Sequence, residues 1–345
     1  MPLLPGQAAP WFTAPTPSNP QFAFDTAAGR YVLLFFDAGD AAARVIGLKA
    51  LAAHQGLFDD IRACAFVVLR DPGSAQGLKD MRGLRWMLDG SGRITAGYGG
   101  EAHWLLLDPT LRVLASAPVQ AADAMFARIA ALPVPAEHAG TPLHAPILIA
   151  PRIFEPELCE ALIALHQADG GRRTGVMRDD GDRTVAVMDA LKSRRDILVE
   201  APDLQAAIRA RLDRRLFPLI HQALGFSVTH TERLLVSCYD AAEGGVFHAH
   251  RDMTTQGTAH RRFACSINLN DDFEGGDLRF AEYGPATYRP SVGGAVVFSC
   301  ALMHEATKIT AGRRYAFLPF FHDEAGAAAL AAYTARVAQL EPARP

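Results

Sequence analysis

The segment Phe247 to Asp252 reads FHAHRD and carries two of the side-chain types that hold first-row metals. In an extended strand, residues two apart face the same way, so His250 and Asp252 are expected to point into one cavity. A third ligand must come from elsewhere in the chain. His304, in SCALMHEAT directly after the apolar run GAVVFSC, is the candidate. Two imidazoles and one carboxylate suit an octahedral Fe(II) and leave three positions open, which a bidentate 2-oxo acid and O2 can fill. The remote carboxylate of such an acid needs a buried cation, and the arginine fork is its natural partner. Arg313 and Arg314 lie on the following strand, GRRYAFLPFF, where alternation lets only one of them face inward.

The elements that must position these residues can be read from the apolar patterning. From Thr231 to Phe321 short β runs (RLLVSCY, ACSINLN, DLRFAEY, GAVVFSC, RRYAFLPFF) are separated by Gly, Asp and Pro, as in a β-sandwich or barrel. Helices are expected over Glu155 to Ala168, Pro202 to Leu224 and Gly326 to Leu340, packed on that β core. The stretch Gly170 to Asp196 is polar, and a flexible lid over the site is one reading of it. Its Arg172, Arg173, Arg194 and Arg195 would suit an acidic substrate or a peptide carboxylate. His166 and His221, on helices, are expected to be structural or surface residues.

Ahead of this lies a run of four prolines between Pro133 and Pro146, expected as a linker. The part before it alternates apolar strands (Tyr31 to Phe36, Ala65 to Leu69, Trp104 to Leu107) with helices expected at Ala41 to Gln55, Ala75 to Met81 and Ala121 to Ala131, an α/β pattern. The 345 residues therefore read as two domains, 1–132 and 147–345, joined by 133–146. The net charge of -3 gives no reason to expect nucleic-acid binding. No apolar run reaches membrane-spanning length, so no membrane partner is expected. MPLLPGQAAPWF lacks the pattern of a signal peptide, so a cytoplasmic location is expected. The five cysteines are scattered and never form a CxxC pair, which argues against a disulfide framework and a structural zinc site.

In order, CYDAAEGGVFHAHRD, SINLNDDFEGGDLRF and PSVGGAVVFSCALMHEATKITAGRRYAF make residues 147–325 resemble the prolyl 4-hydroxylase-like branch of the 2-oxoglutarate/Fe(II) dioxygenases. The resemblance implies a double-stranded β-helix (jelly roll) and a centre of His250, Asp252 and His304. The family's basic residue near ten positions past the distal histidine selects Arg314 over Arg313. Tyr239 and Asn268 match positions that contact 2-oxoglutarate or line its pocket. The implied cofactor is Fe(II), with 2-oxoglutarate and O2 as co-substrates and ascorbate (vitamin C) as an accessory reductant. The implied reaction hydroxylates a C–H bond of a proline-like peptidyl residue or a small amino-acid-type substrate and releases succinate and CO2. Related halogenases carry a small residue in place of the aspartate, so Asp252 favours hydroxylation. The interval from Tyr239 to His250 is one or two residues longer than usual in the family, and it makes His248 a rival ligand. The alternative is a non-catalytic metal-binding or interaction protein with both domains degenerate.

The N-terminal strings GQAAPWFTAPT, GRYVLLFF, FVVLRDP and HWLLLDPTLRVLA resemble the peroxiredoxin branch of the thioredoxin fold over residues 3–131. That branch needs a thiolate early in the helix after its first long strand, where the helix N-terminus lowers the thiol pKa. Here the region reads DAGDAAARV, without cysteine, and Cys64 is poorly placed to substitute. The expectation is a degenerate redoxin-like module without peroxidase activity, used for docking, substrate recognition or homodimerisation. The expected partner of the whole chain is a peptide, protein or small-molecule substrate.

Overall fold

A computed structural model describes residues 3–340; expectations touching residues 1–2 and 341–345 lie outside it. The chain divides into two compact units, Met1–Ala145 with Ala281–Pro285, and Pro146–Phe280 with Ala286–Pro345.

In the first unit β1 (Tyr31–Phe36), β2 (Ala63–Leu69), β3 (Leu84–Leu88), β4 (His103–Leu107) and β5 (Val113–Pro118) form one sheet in the order β3-β2-β1-β4-β5. β1, β2 and β3 run parallel, while β4 and β5 are antiparallel to their neighbours. All six side chains of β1 are buried, as expected of a strand covered on both faces. Tyr31, Leu33 and Phe35 join the core under helices α1 (Ala41–Ala53) and α3 (Ala122–Ala131); Val32, Leu34 and Phe36 join the core on the opposite face. The Asp40 carboxylate caps α1, accepting from the amides of Ala42 at 2.8 Å and Ala43 at 3.1 Å. β3 and the short helix α2 (Arg93–Gly97) were not expected. The helix expected from Ala75 to Met81 is absent: a 3-10 turn over Pro72–Ala75 leads into irregular chain. There Gly77 takes a left-handed φ of 80°, and Asp80 is held by Thr16 and by the Trp86 amide.

The second unit follows the expected helix-then-β layout. Helices α4 (Pro156–Asp169), α5 (Pro202–Arg211) and α6 (Phe217–Leu224) lie on the outer face of a large antiparallel sheet, with α5 and α6 joined by a π turn. The strands of that sheet that matter for the site are β9 (Arg195–Leu198), β10 (Leu235–Asp240), β12 (Phe263–Asn268) and β15 (Ile309–Phe317), in the order β12-β15-β10-β9. A second antiparallel sheet contains β8 (Lys192–Ser193), β11 (Val246–His250), β13 (Leu278–Arg279) and β14 (His304–Ala306). Two such sheets are consistent with a jelly roll. The segment expected as an irregular polar stretch contains a two-stranded hairpin, β6 (Val176–Asp180) and β7 (Arg183–Val187). Its tip is tied by Thr184 N–H to the Tyr333 hydroxyl at 2.7 Å, on α7 (Glu324–Leu340), and by Gly257 N–H to Thr184 Oγ1 at 2.8 Å. Among the described residues no helix is long and apolar enough to cross a membrane.

Candidate metal centre

Alternation along the large sheet sorts its side chains. On β10, Val236 and Cys238 join the core under the helices, while Ser237 and Tyr239 belong to the opposite, inner face. On β12 Cys265 and Ile267 are outward, and Ser266 and Asn268 are inward; on β15 Tyr315 is outward and Arg314 inward. Arg313 belongs to the outer face, where it pairs with Asp240 at 2.6 Å and helps line a cavity of about 440 Å³ with Cys238, Arg195 and Tyr315. Strand parity thus turns Arg314 inward and Arg313 outward.

His250, Asp252 and His304 come together with one ligand atom from each within 4.8 Å of the others. Asp252 Oδ1 lies 3.6 Å from His250 Nε2, and Oδ2 lies 3.3 Å from His304 Nε2. Adjacent donors around a metal with ~2.1 Å bonds stand about 3 Å apart, so the set is close to a ligating arrangement. Each imidazole has its Nδ1 against a backbone carbonyl two residues earlier, His250 on His248 O at 2.7 Å and His304 on Leu302 O at 3.0 Å. An Nδ1–H donated there fixes the tautomer and leaves both Nε2 lone pairs for a cation. Burial works to raise the Asp252 pKa, but the facing imidazoles of His304 and His250 hold it well below the usual carboxylate range. Burial and the neighbouring His250 lower His304 to about 4, against the pull of Asp252. The residues present therefore fit a divalent cation: two imidazoles presenting Nε2 and one carboxylate.

One part of the strand argument needs correction. β11 ends at His250, so Asp252 is not a strand residue; its amide donates to Cys300 O at 3.0 Å, which holds the chain in place beyond the strand end. Pairing with β14 runs Phe247↔Ala306 and then His250↔His304, so β11 has one extra residue, a bulge. The Phe247 ring stacks on His250 with centroids 3.6 Å apart. His248 is exposed and is not among the clustered ligands, which removes it as a rival.

Arg314 is 2% exposed. Its Nη2 donates to Ser266 Oγ at 2.8 Å and to Asn268 Oδ1 at 3.0 Å, and its Nε reaches the same Asn268 oxygen at 3.2 Å. Asn268 in turn donates Nδ2 to Pro290 O at 3.0 Å, so it aims the arginine. Gly276, with φ of 71°, leaves the room this needs: a Cβ there would meet Ile309 Cδ1 at 2.1 Å and Arg314 Cδ at 3.2 Å. Tyr239 sits opposite Arg314 across the β10–β15 pair, and its ring lies 5.5 Å from the guanidinium carbon.

Sequence reasoning missed Ser266, Phe247, Lys192 and Asp196. The signal for Ser266 was its place two residues before Asn268 on the same face. Of Arg172, Arg173, Arg194 and Arg195, only Arg194 is buried inside. Its Nη1 donates to the Tyr239 hydroxyl at 2.9 Å and its Nε pairs with Asp196 Oδ1 at 2.9 Å. Arg172 and Arg173 are exposed, and Arg195 turns to the outer face and Glu243. His166 is a buried structural residue bonded to Arg195 O at 3.0 Å.

Residues 234–322 match the family model described as the 2OG-Fe(II) oxygenase superfamily. No curated protein matches the chain. Among solved structures it is similar to a prolyl hydroxylase from Trichoplax adhaerens in complex with a hypoxia inducible factor oxygen degradation domain peptide fragment, at 16% identity and TM-score 0.44, over 53% of this chain and 86% of that one. It is also similar to a Pseudomonas putida prolyl-4-hydroxylase at 18% identity and TM-score 0.41, over 52% and 94% of the respective chains. A viral collagen prolyl hydroxylase from Paramecium Bursaria Chlorella virus-1 matches at 12% identity and TM-score 0.38, over 51% and 94%. The matched segment contains His250, Asp252, His304 and Arg314, and so the second unit carries a 2OG-Fe(II) oxygenase domain, an oxidoreductase module whose family implies Fe(II), 2-oxoglutarate and O2.

Proposed function

We propose that the protein hydroxylates a C–H bond of a peptidyl residue, proline-like, or of a small amino-acid-type substrate, turning R–H, 2-oxoglutarate and O2 into R–OH, succinate and CO2. The observation that carries this is the triad itself: both Nδ1 atoms are committed to carbonyls, so both Nε2 atoms and the Asp252 carboxylate converge on one point. Fe(II), when bound there, supplies the electrons and the open coordination positions that O2 and a 2-oxo acid require. In this reading His250, Asp252 and His304 hold the metal on one face. Arg314 binds the remote carboxylate of the co-substrate, and Asn268 and Ser266 keep its fork in plane. Tyr239 closes the same end, with Arg194 holding its hydroxyl.

The first unit supports a redoxin-like reading through its sheet order, β3-β2-β1-β4-β5, with antiparallel β4 and β5 after a parallel β1–β2 pair. Where a reactive thiol would stand at the start of α1, Asp40 occupies the helix N-terminus. Burial pushes the Cys64 thiol up to about 12. We therefore assign it no thiol peroxidase activity.

The direct test is anaerobic titration of the full chain with Fe(II) and 2-oxoglutarate, followed by aerobic succinate assay against peptide and amino-acid pools. A visible charge-transfer band and iron-dependent succinate are expected, both lost in His304→Ala. A chain that binds neither iron nor 2-oxoglutarate would be the non-catalytic interaction protein instead.

A further inference from the structure

The inner wall of the oxygenase domain carries more positive charge than its iron chemistry needs. The positive charges of Fe(II) and Arg314 would balance the negative charges of Asp252 and 2-oxoglutarate. Two further groups line the same wall. In the first, Lys192 and Arg194 share one carboxylate, Asp196, at 3.5 and 2.9 Å. Asp196 also accepts from Ser237 Oγ at 2.6 Å and from Thr174. In the second, Arg261 and Arg233 share Glu232, but Glu232 is already taken by Arg261 Nη2 at 2.5 Å and His260 Nε2 at 2.8 Å. Each group therefore has one more basic side chain than carboxylate. A basic side chain left without a counter-ion on such a wall is a place to receive an anion.

Two of these cations have donors to spare. Arg194 uses Nε on Asp196 and Nη1 on Tyr239, and its Nη2 makes no hydrogen bond among the described residues. The Arg233 guanidinium makes none at all: its Nε is buried without a partner, and Glu232 stands off at 3.7 Å. Yet a third of the Arg233 side chain (34%) is accessible, so a ligand can reach it. Its backbone φ is 57°, unusual for a side chain of its size, and its guanidinium lies 4.9 Å from the Phe320 ring centre. Arg194 lies over Phe247 at 5.4 Å, the ring that stacks on His250, so this wall adjoins the metal centre. The potential is felt by the groups themselves. Burial first, then Arg194 and Arg233, push Lys192 down to about 7 despite Asp196, and burial with Arg261 brings Arg233 to about 10.

We propose that the substrate of this oxygenase is an anion whose carboxylate binds Arg233, within the field of Arg194, while the carbon to be hydroxylated faces the triad. This rests on the oxygenase reading above and narrows its substrate to a carboxylate-bearing molecule, either a small acid or a peptide with an acidic side chain. Neutral proline-like substrates without such a group are disfavoured, because they leave Arg233 unpaired.

The test uses the full chain loaded anaerobically with Fe(II) and saturating 2-oxoglutarate, so that binding is read without turnover. Calorimetric titration compares N-acetyl, N-methylamide-blocked aspartate and glutamate with the corresponding asparagine and glutamine. A second arm compares proline-containing hexapeptides bearing Asp with those bearing Asn. At least one acid should bind ten-fold or more tighter than its amide, with the preference shrinking as salt is raised. The arm that responds identifies the source of the carboxylate. Arg233→Met should bring the acid-to-amide ratio to near one, and Arg233→Lys should restore part of it, with circular dichroism confirming folded protein. Equal binding of acid and amide, binding of neither, or a ratio unmoved in Arg233→Met overturns the proposal. The wild-type charge-transfer band, recorded first, separates the two ideas: without it the oxygenase reading falls and takes this one with it.

Discussion

Replacing Arg314 by methionine isolates the anchor assigned to 2-oxoglutarate. The side chain is nearly inaccessible, and its hydrogen-bonding neighbours are acceptors towards it: Ser266 Oγ and Asn268 Oδ1. The Asn268 amide is turned to Pro290 O, so it does not take over when the guanidinium is gone. Truncating one partner of a buried, hydrogen-bonded charge pair costs about 2–5 kcal/mol. At ten-fold per 1.4 kcal/mol this is about 30-fold to several thousand-fold in Kd. Arg314→Lys keeps the charge but loses the fork, so a loss of about 5- to 30-fold is expected, on the order of 1–2 kcal/mol. Arg313→Met is the control. That side chain is exposed on the other face and paired with Asp240, a surface pair worth at most ~1 kcal/mol, so less than about a three-fold change is expected. Kd comes from anaerobic 2-oxoglutarate titration of the Fe(II)-loaded protein, with Fe(II) binding alone measured beside it. An Arg314→Met protein within three-fold of wild type, or a large effect in Arg313→Met, would refute the parity argument.

Other expectations concern stability and thiols. Burial would raise the Asp196 pKa, but Arg194, Lys192 and the hydroxyls of Ser237 and Thr174 hold it at about 2. A depressed folded-state pKa contributes stability above the unfolded value, near 4, and loses it as pH falls towards 2; the contribution is on the order of 2 kcal/mol. Asp196→Asn should therefore be less stable at pH 7 in urea unfolding, with the gap from wild type closing between about pH 4 and 2; a gap constant over that range would count against the buried pair. Gly47→Ala on α1 would place a Cβ 2.2 Å from Phe35 Cζ, so overpacking should outweigh the better helix propensity and cost about 1–2 kcal/mol, read as a lower melting temperature. All five cysteines are buried, so native protein should react with a thiol reagent slowly if at all and denatured protein at five sites; rapid modification of Cys64 would reopen the thiol question.

What could be read from the sequence was what repeats locally. YVLLFF and AFVVL are strands in which every side chain is buried, and the six consecutive large apolar residues of the first run lie between Arg30 and Asp37. LRWML escaped because Arg85 interrupts it; in the fold that charge is held by Asp60 at 2.6 and 2.9 Å and costs the strand little. The β6–β7 hairpin escaped for a different reason. Its strands are short and largely exposed, and its tip is fixed by Tyr333, about 150 residues away, which no local pattern reports. The false helix at Ala75 to Met81 shows the converse: local propensity lost to Asp71 and Asp80, whose carboxylates hold the backbone in turns.

The metal ligands and the surplus cations differ in the same way. His250, Asp252 and His304 are rare residue types at a telling spacing, and even so the spacing rule alone was insufficient. Strict alternation would have placed His248 and His250 on one face, leaving two candidate ligands. The bulge breaks the period: it inserts one residue between Phe247 and His250 and turns His250 towards Asp252 while His248 faces solvent. Arginines, by contrast, are common and usually solvated, so a run such as Arg194-Arg195 says nothing about which member is buried. Only the pairing of β9 with β10, which sets Arg195 opposite Cys238 on the outer face, sends Arg194 inward to Tyr239. Substrate charge therefore becomes readable only at the level of sheet register, after the metal chemistry has been read from residue type.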